Sequence, residues 1–170
     1  MRNIINIYGG DTMMELNPKI KDSLIKMNFI SRYEEISNSY NSERTPSENR
    51  LVYIDGKEVM DMIEERGYVP QFDSKEKFYK IQEEHVDIYT FTVHIILRDG
   101  MVDIVWVVKE NEEIILGAPW GTYSRRLLNS RYRIKKPVFG SYEDLEDIIE
   151  KTFCMYEDFK NILVLDNDVK

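Results

Sequence analysis

The chain has 170 residues, with 23 Lys and Arg against 31 Asp and Glu, and a formal net charge of −8. With 42% hydrophobic and 12% aromatic residues it is too apolar for a disordered chain, and charges interrupt every apolar stretch before it could span a membrane. The acidic balance argues against a generally basic nucleic-acid binder, and the single cysteine, Cys154, excludes an intrachain disulfide.

The length suits one domain covering residues 1–170. The apolar run at Asn3–Tyr8 is too short for a signal-peptide core and reads as a short edge strand; with a lone free thiol this predicts a cytoplasmic protein. Asn17-Pro18 is a helix start, Asn as cap and Pro at the first helical position, and Ile20, Leu24 and Met27 follow at helical spacing to about Ile30. Residues 37–49, rich in Ser, Asn and Glu, predict a flexible surface loop. A short strand is expected at Leu51–Ile54 and a short helix at Glu58–Arg66, with Gly67 as its stop.

Lys77–Glu84 reads as a strand ahead of the clearest signal in the chain. Val86–Arg98 alternates, Asp99-Gly100 is a two-residue hairpin turn, and Met101–Lys109 returns. A type I′ turn sets Arg98 opposite Met101, so Leu97, Ile95, Val93 and Phe91 face Val102, Ile104, Trp106 and Val108, all apolar. Glu113–Gly117 follows as a further strand. Ser141 caps a long final helix, with Asp144 three residues on in the manner of a capping box. Leu145, Ile148, Ile149, Thr152, Tyr156, Phe159 and Leu163 form its apolar stripe. The predicted class is α+β: an antiparallel sheet of about four or five strands, helices packed on one face, and a long C-terminal helix.

No catalytic motif emerges. Two histidines are too few for most histidine-based metal sites, no serine sits in a nucleophile elbow, and Gly9-Gly10 lacks the rest of a phosphate-binding loop, so no metal or cofactor is expected. Cys154 points away from the apolar stripe, among Asp147, Glu150, Glu157 and Asp158. Carboxylates oppose thiolate formation, which disfavours a nucleophile there. His94 falls diagonal to Asp103 on the sheet face turned from the core, the geometry of an ordinary cross-strand pair or of a general base.

Charge is unevenly distributed. Residues 1–50 are neutral, 51–100 carry −5, 101–137 carry +3 and 138–170 carry −6. The positive segment concentrates Arg125, Arg126, Arg131, Arg133, Lys135 and Lys136 in twelve residues without an acid. It follows Trp120, expected to be exposed, and Tyr123. The predicted balance for this run is internal, from the five acids of Glu143–Glu150. The alternative is a small-ligand or phosphate pocket formed by His94, Asp103, Trp120, Tyr123, Arg125 and Arg126, with Arg as the fork donor.

The segment from Lys136 through Gly140-Ser141-Tyr142-Glu143-Asp144-Leu145 to Ile149, continued by Met155-Tyr156-Glu157-Asp158-Phe159, resembles the Ser-Tyr-acidic-acidic-Leu helix endings of small acidic bacterial toxin-immunity proteins. The resemblance implies a single α+β domain without catalysis, whose partner is a protein, often a basic nuclease toxin domain blocked by direct binding. It transfers no site residue. The steering that an acidic face gives toward a basic partner places the expected interface on the outer face of the last helix, at Asp147, Glu150, Glu157 and Asp158.

Overall fold

A computed structural model describes residues 15–168. The strand expected at Asn3–Tyr8 lies outside them. The described elements run α1 (Pro18–Lys26), α2 (Phe29–Ser39), a 3₁₀ turn (Ser47–Asn49), α3 (Gly56–Glu65), β1 (Pro70–Asp73), β2 (Phe78–Ile81), β3 (Glu84–Val86), β4 (Tyr89–Arg98), β5 (Met101–Glu110), β6 (Glu113–Leu116), α4 (Trp120–Leu127) and α5 (Tyr142–Asp168).

The hairpin organises the rest. Asp99 and Gly100 both hold positive φ, at 56° and 73°, as a type I′ turn requires. Arg98 pairs with Met101, and Phe91, Val93, Ile95 and Leu97 pair with Val108, Trp106, Ile104 and Val102, the expected register throughout. Further strands flank it in the order β1-β2-β4-β5-β6, with β3 also pairing β4. All pairings are antiparallel. The described strands number six, more than the sequence suggested. The single strand expected over Lys77–Glu84 is two, β2 and β3, and Pro70–Asp73 adds β1.

The helices cover one face, where Ile20, Leu24, Phe29, Tyr33, Val59, Ile63 and the stripe from Leu145 to Leu163 join the inward residues of β4 and β5 in one core. The helix expected to reach Ile30 breaks at Asn28, which takes the left-handed conformation at φ 59°. Asn tolerates that region, and the bend redirects the chain so that Phe29 enters the core. Helix α2 then extends through Ser39, three residues into the segment predicted as a loop. The remainder of that segment buries Thr45 and forms the 3₁₀ turn. Leu51–Ile54 is not a strand: the Leu51 N–H donates to the Phe139 carbonyl at 3.1 Å instead of joining a ladder. Asp55 caps α3 through the Lys57 N–H at 3.0 Å, and Gly67 ends it at φ 90°.

The largest correction is Trp120. It is 1% exposed, buried edge-on against Phe29 at 5.2 Å and Trp106 at 5.3 Å. The cause is α4, which the sequence reading missed. Pro119 opens the helix, and Trp120 and Tyr123, three residues apart, share its inward side. Tyr123 also completes the sheet. Its hydroxyl accepts from the Trp106 N–H and donates to the Trp106 carbonyl, each at 3.2 Å, so it serves a position of β5 that no described strand pairs on that side. Tyr123→Phe should therefore destabilise by about 1–3 kcal/mol, because both backbone groups stay buried and unpaired. Urea unfolding of the two proteins measures this, and equal midpoints would show that the hydroxyl bridge contributes nothing.

Candidate protein-binding surface

Helix α5 lies between α2 on one side and the α3–β1 connection on the other, and its polar residues are tied to both. Toward α2, Asp144 pairs with Arg44 at 3.0 Å and Asp158 with Arg32 at 2.7 Å. Asp147 accepts from the Tyr40 hydroxyl and from Lys151. The lysine and tyrosine hydrogen bonds hold the Asp147 carboxyl below its ordinary range, while burial and the same bond push the Tyr40 phenol up to about 12. Toward the other side, Glu157 accepts from Tyr68 and from Lys160. Lys160 and the Tyr156 hydroxyl both donate to Glu84 on β3. Burial first, and then this carboxylate, raise the Tyr156 phenol well above its usual value.

The four acids proposed as an interface are thus on the helix but not equivalent. Asp147, Glu157 and Asp158 are each engaged by a cation or tyrosine of the fold. Glu150 is different. It is one of three carboxylates around a single guanidinium, that of Arg66: Glu146 at 3.7 Å, Glu150 at 3.9 Å and Glu65 at 4.0 Å. The Arg66 side chain is 16% exposed, whereas Glu65 and Glu150 are 66% and 62% exposed. One positive charge facing three negative ones leaves a local surplus of acid where α3 meets α5. Exposed Glu58, Glu64 and Glu143 on the same two helices have no ion pair among the described residues and add to it. The strip around Cys154 is of mixed sign rather than acidic. Arg32 and Lys151 join Glu35 and Met155 in lining the shallow groove of about 150 Å³ beside the exposed thiol.

The residues of the alternative pocket do not form one. Trp120 and Tyr123 are in the core. His94 pairs with Val105 across the sheet and stacks on Phe78, with ring centroids 4.5 Å apart. The face expected to be open is closed, since Val105 is 0% and Thr92 8% exposed. Asp103 is met by Lys136 at 3.4 Å. Burial raises its carboxyl against the pull of that lysine. Arg125 is turned back along its helix to Thr122 at 3.0 Å, and burial, followed by its neighbours Arg133 and Arg126, lowers its pKa.

The basic run makes no ion pair with Glu143–Glu150, the balance expected, because Arg44, Arg66 and Lys151 meet four of those five acids. Its acidic neighbours come from other elements. Asp103 is one, and Glu34 and Glu43 face Arg133, Lys135 and Lys136 across a cleft of about 370 Å³ beside the end of α2. The sequence reading missed Arg66 as the hub of the acidic surface. The signal was its position one residue before Gly67, where the last turn of α3 brings it onto α5.

Among the described residues no helix is long and apolar enough to cross a membrane. Comparison with family models, curated proteins and solved structures finds no match to the chain.

The half-buried histidine makes stability depend on pH. Burial, reinforced by Lys80, holds the His94 imidazole down at about 4, against 6.5 ordinarily. The unfolded chain thus takes up this proton more readily than the folded one, so His94 costs nothing above pH ~6.5 and destabilises progressively as the pH falls toward ~4. The full effect is on the order of 3 kcal/mol, and Asp103, raised by burial, opposes part of it. His94→Gln should lose less stability than wild type between neutral and mildly acidic buffer in urea titrations. Parallel losses would mean that the histidine is not the titrating group.

Proposed function

We propose that the chain is a non-catalytic binding protein that captures a basic protein domain, and that it acts as an immunity protein of a cytoplasmic kind, neutralising a basic toxin domain by direct contact. The observation that carries this reading is the carboxylate surplus around Arg66. Paired carboxylates such as Asp147 and Asp158 present little net field beyond a screening length, whereas unmatched ones draw a cation-rich partner and raise its association rate. The capped start of α5 adds support: Ser141 Oγ accepts from the Asp144 N–H at 3.1 Å, so the segment resembling immunity-protein helix endings is a capped helix start. The competing small-ligand reading loses its stacking platform, since Trp120 and Tyr123 are filled into the core.

The test is coexpression with the basic proteins encoded beside the gene, followed by association kinetics with whichever one the chain protects against. Glu65→Lys with Glu150→Lys leaves Glu146 for Arg66 and should slow association at low salt by about 10-fold, with the difference fading at high salt. The reversal of Asp158, already paired with Arg32, should change the rate much less. Protection against no neighbour, or a rate indifferent to the double reversal at low salt, overturns the reading.

A further inference from the structure

We infer that Tyr53 is the anchor of this binding surface, a bare ring on which an arginine of the basic partner stacks while the carboxylates of Asp55 and Glu58 meet its charge. The inference rests on the proposed function and adds an aromatic contact at the N-terminal end of α3, the end opposite Arg66. Tyr53 is 93% exposed, against 61% for Leu165, the next most exposed large apolar side chain.

Its segment is nevertheless held at both ends. The Leu51 N–H is bound to Phe139, the Asp55 N–H donates to the Tyr142 hydroxyl at 2.8 Å, and the Asp55 side chain caps α3. Leu51 and Ile54 pack against the core, which leaves Val52 and Tyr53 projecting between two fixed points. A tyrosine has only two side-chain torsions to order, so one presented this way loses little entropy on binding. Further aromatic surface meets the start of α3: the Tyr79 hydroxyl lies 3.2 Å from where a Cβ on Gly56 would stand, and its ring packs on half-exposed Phe72 at 4.8 Å.

Charge selects the occupant. From Asp55 to Glu65 the chain carries five carboxylates and one cation, Lys57, which is engaged by Asp61 at 2.9 Å. An exposed ring beside unmatched carboxylates suits a guanidinium, which stacks flat on an aromatic face and forks to a carboxylate in one pose. A lysine meets only the charge, and an acidic or nucleic-acid segment is repelled.

The experiment is a two-dimensional ¹⁵N NMR titration of the full chain with acetyl-Arg-Gly-Arg-Gly-amide, and with the lysine counterpart as control. Shifts should centre on residues 52–58, the arginine peptide should bind more tightly than the lysine one, and Tyr53→Ala should weaken it by about 3-fold while Tyr53→Phe retains it. Shifts spread over all carboxylates and unaltered by Tyr53→Ala would overturn the anchor. Substitution at so exposed a position leaves the fold intact, which an unchanged thermal melt verifies. With the toxin-like partner in hand the two ideas separate: loss of association in Glu65→Lys/Glu150→Lys but not in Tyr53→Ala removes the anchor and keeps the binding reading, and loss in neither removes both.

Discussion

The turn at Asp99 and Gly100 imposes a backbone twist that aligns ten residue pairs of β4 and β5, and every other contact in the core assumes that alignment. A slip of one residue would turn Phe91, Val93 and Ile95 out of the core and bring Thr92 and His94 into it. Gly100 is required for a second reason. A Cβ there would stand 2.6 Å from Arg50 Cβ, so the segment leading to α3 can cross the hairpin only over a glycine. The same crossing brings Leu51 to Phe139, whose own N–H donates to the Gly100 carbonyl at 2.9 Å. One turn therefore sets the strand register, the path of residues 50–55 and the approach to α5.

Helix α5 shows how the fold absorbs part of an acidic sequence into its own architecture. Its exposed pairs to Arg32 and Arg44 are individually worth about 0–1 kcal/mol, and their main effect is to fix the lateral position of the helix. The cluster of Tyr156, Lys160, Glu84 and Glu157 matters more per bond, because Lys160 is 9% and Tyr156 1% exposed and loss of one partner would leave a buried charge unmet. Burial alone would lower the Lys160 ammonium, yet the hydrogen bonds it donates to Glu157 and Glu84 outweigh it and the net shift is upward. Counting acids along the helix thus overstates its field. Asp147, Glu157 and Asp158 belong to the architecture, and Glu146 and Glu150 share one arginine with Glu65.

The parts of the fold legible in the sequence are those whose cause is local. Asn17-Pro18, Asp99-Gly100 and the Ser141 cap act within a few residues, and the strict alternation of Phe91 to Leu97 declares its buried face without knowledge of a partner. What was not legible depends on distant residues. The break at Asn28 follows from the depth of the site that receives Phe29. Trp120 looked exposed beside glycine and proline, and only the space between Phe29 and Trp106 makes it a core residue. Val105 and Thr92, on the face that alternation assigns to solvent, are buried instead. At the candidate surface the sequence located the acidic helix correctly but could not tell a carboxylate with a partner from one without, because the deciding cations, Arg32, Arg44 and Arg66, lie roughly 80–130 residues away in the chain.

That distinction decides what the net charge of −8 means for association. An ion pair closed within 3 Å is a small dipole whose field is negligible beyond about 10 Å in physiological salt. Arg66 with three carboxylates is not closed: it acts outward as a multiple negative charge, joined by Glu58, Glu64 and Glu143 on the same helices. The basic run at 125–136 is the converse, with cations exceeding the acids Asp103, Glu34 and Glu43 that approach it. Among the described residues, the acidic surplus and the basic run thus lie on different elements. An approaching basic domain is attracted by one and repelled by the other, so the field selects an orientation before any contact forms. That orientation presents the α3–α5 junction, whereas Tyr53, in the pinned segment that leads into α3, lies at the end of that helix away from Arg66, so steering and aromatic contact are separate demands on one partner.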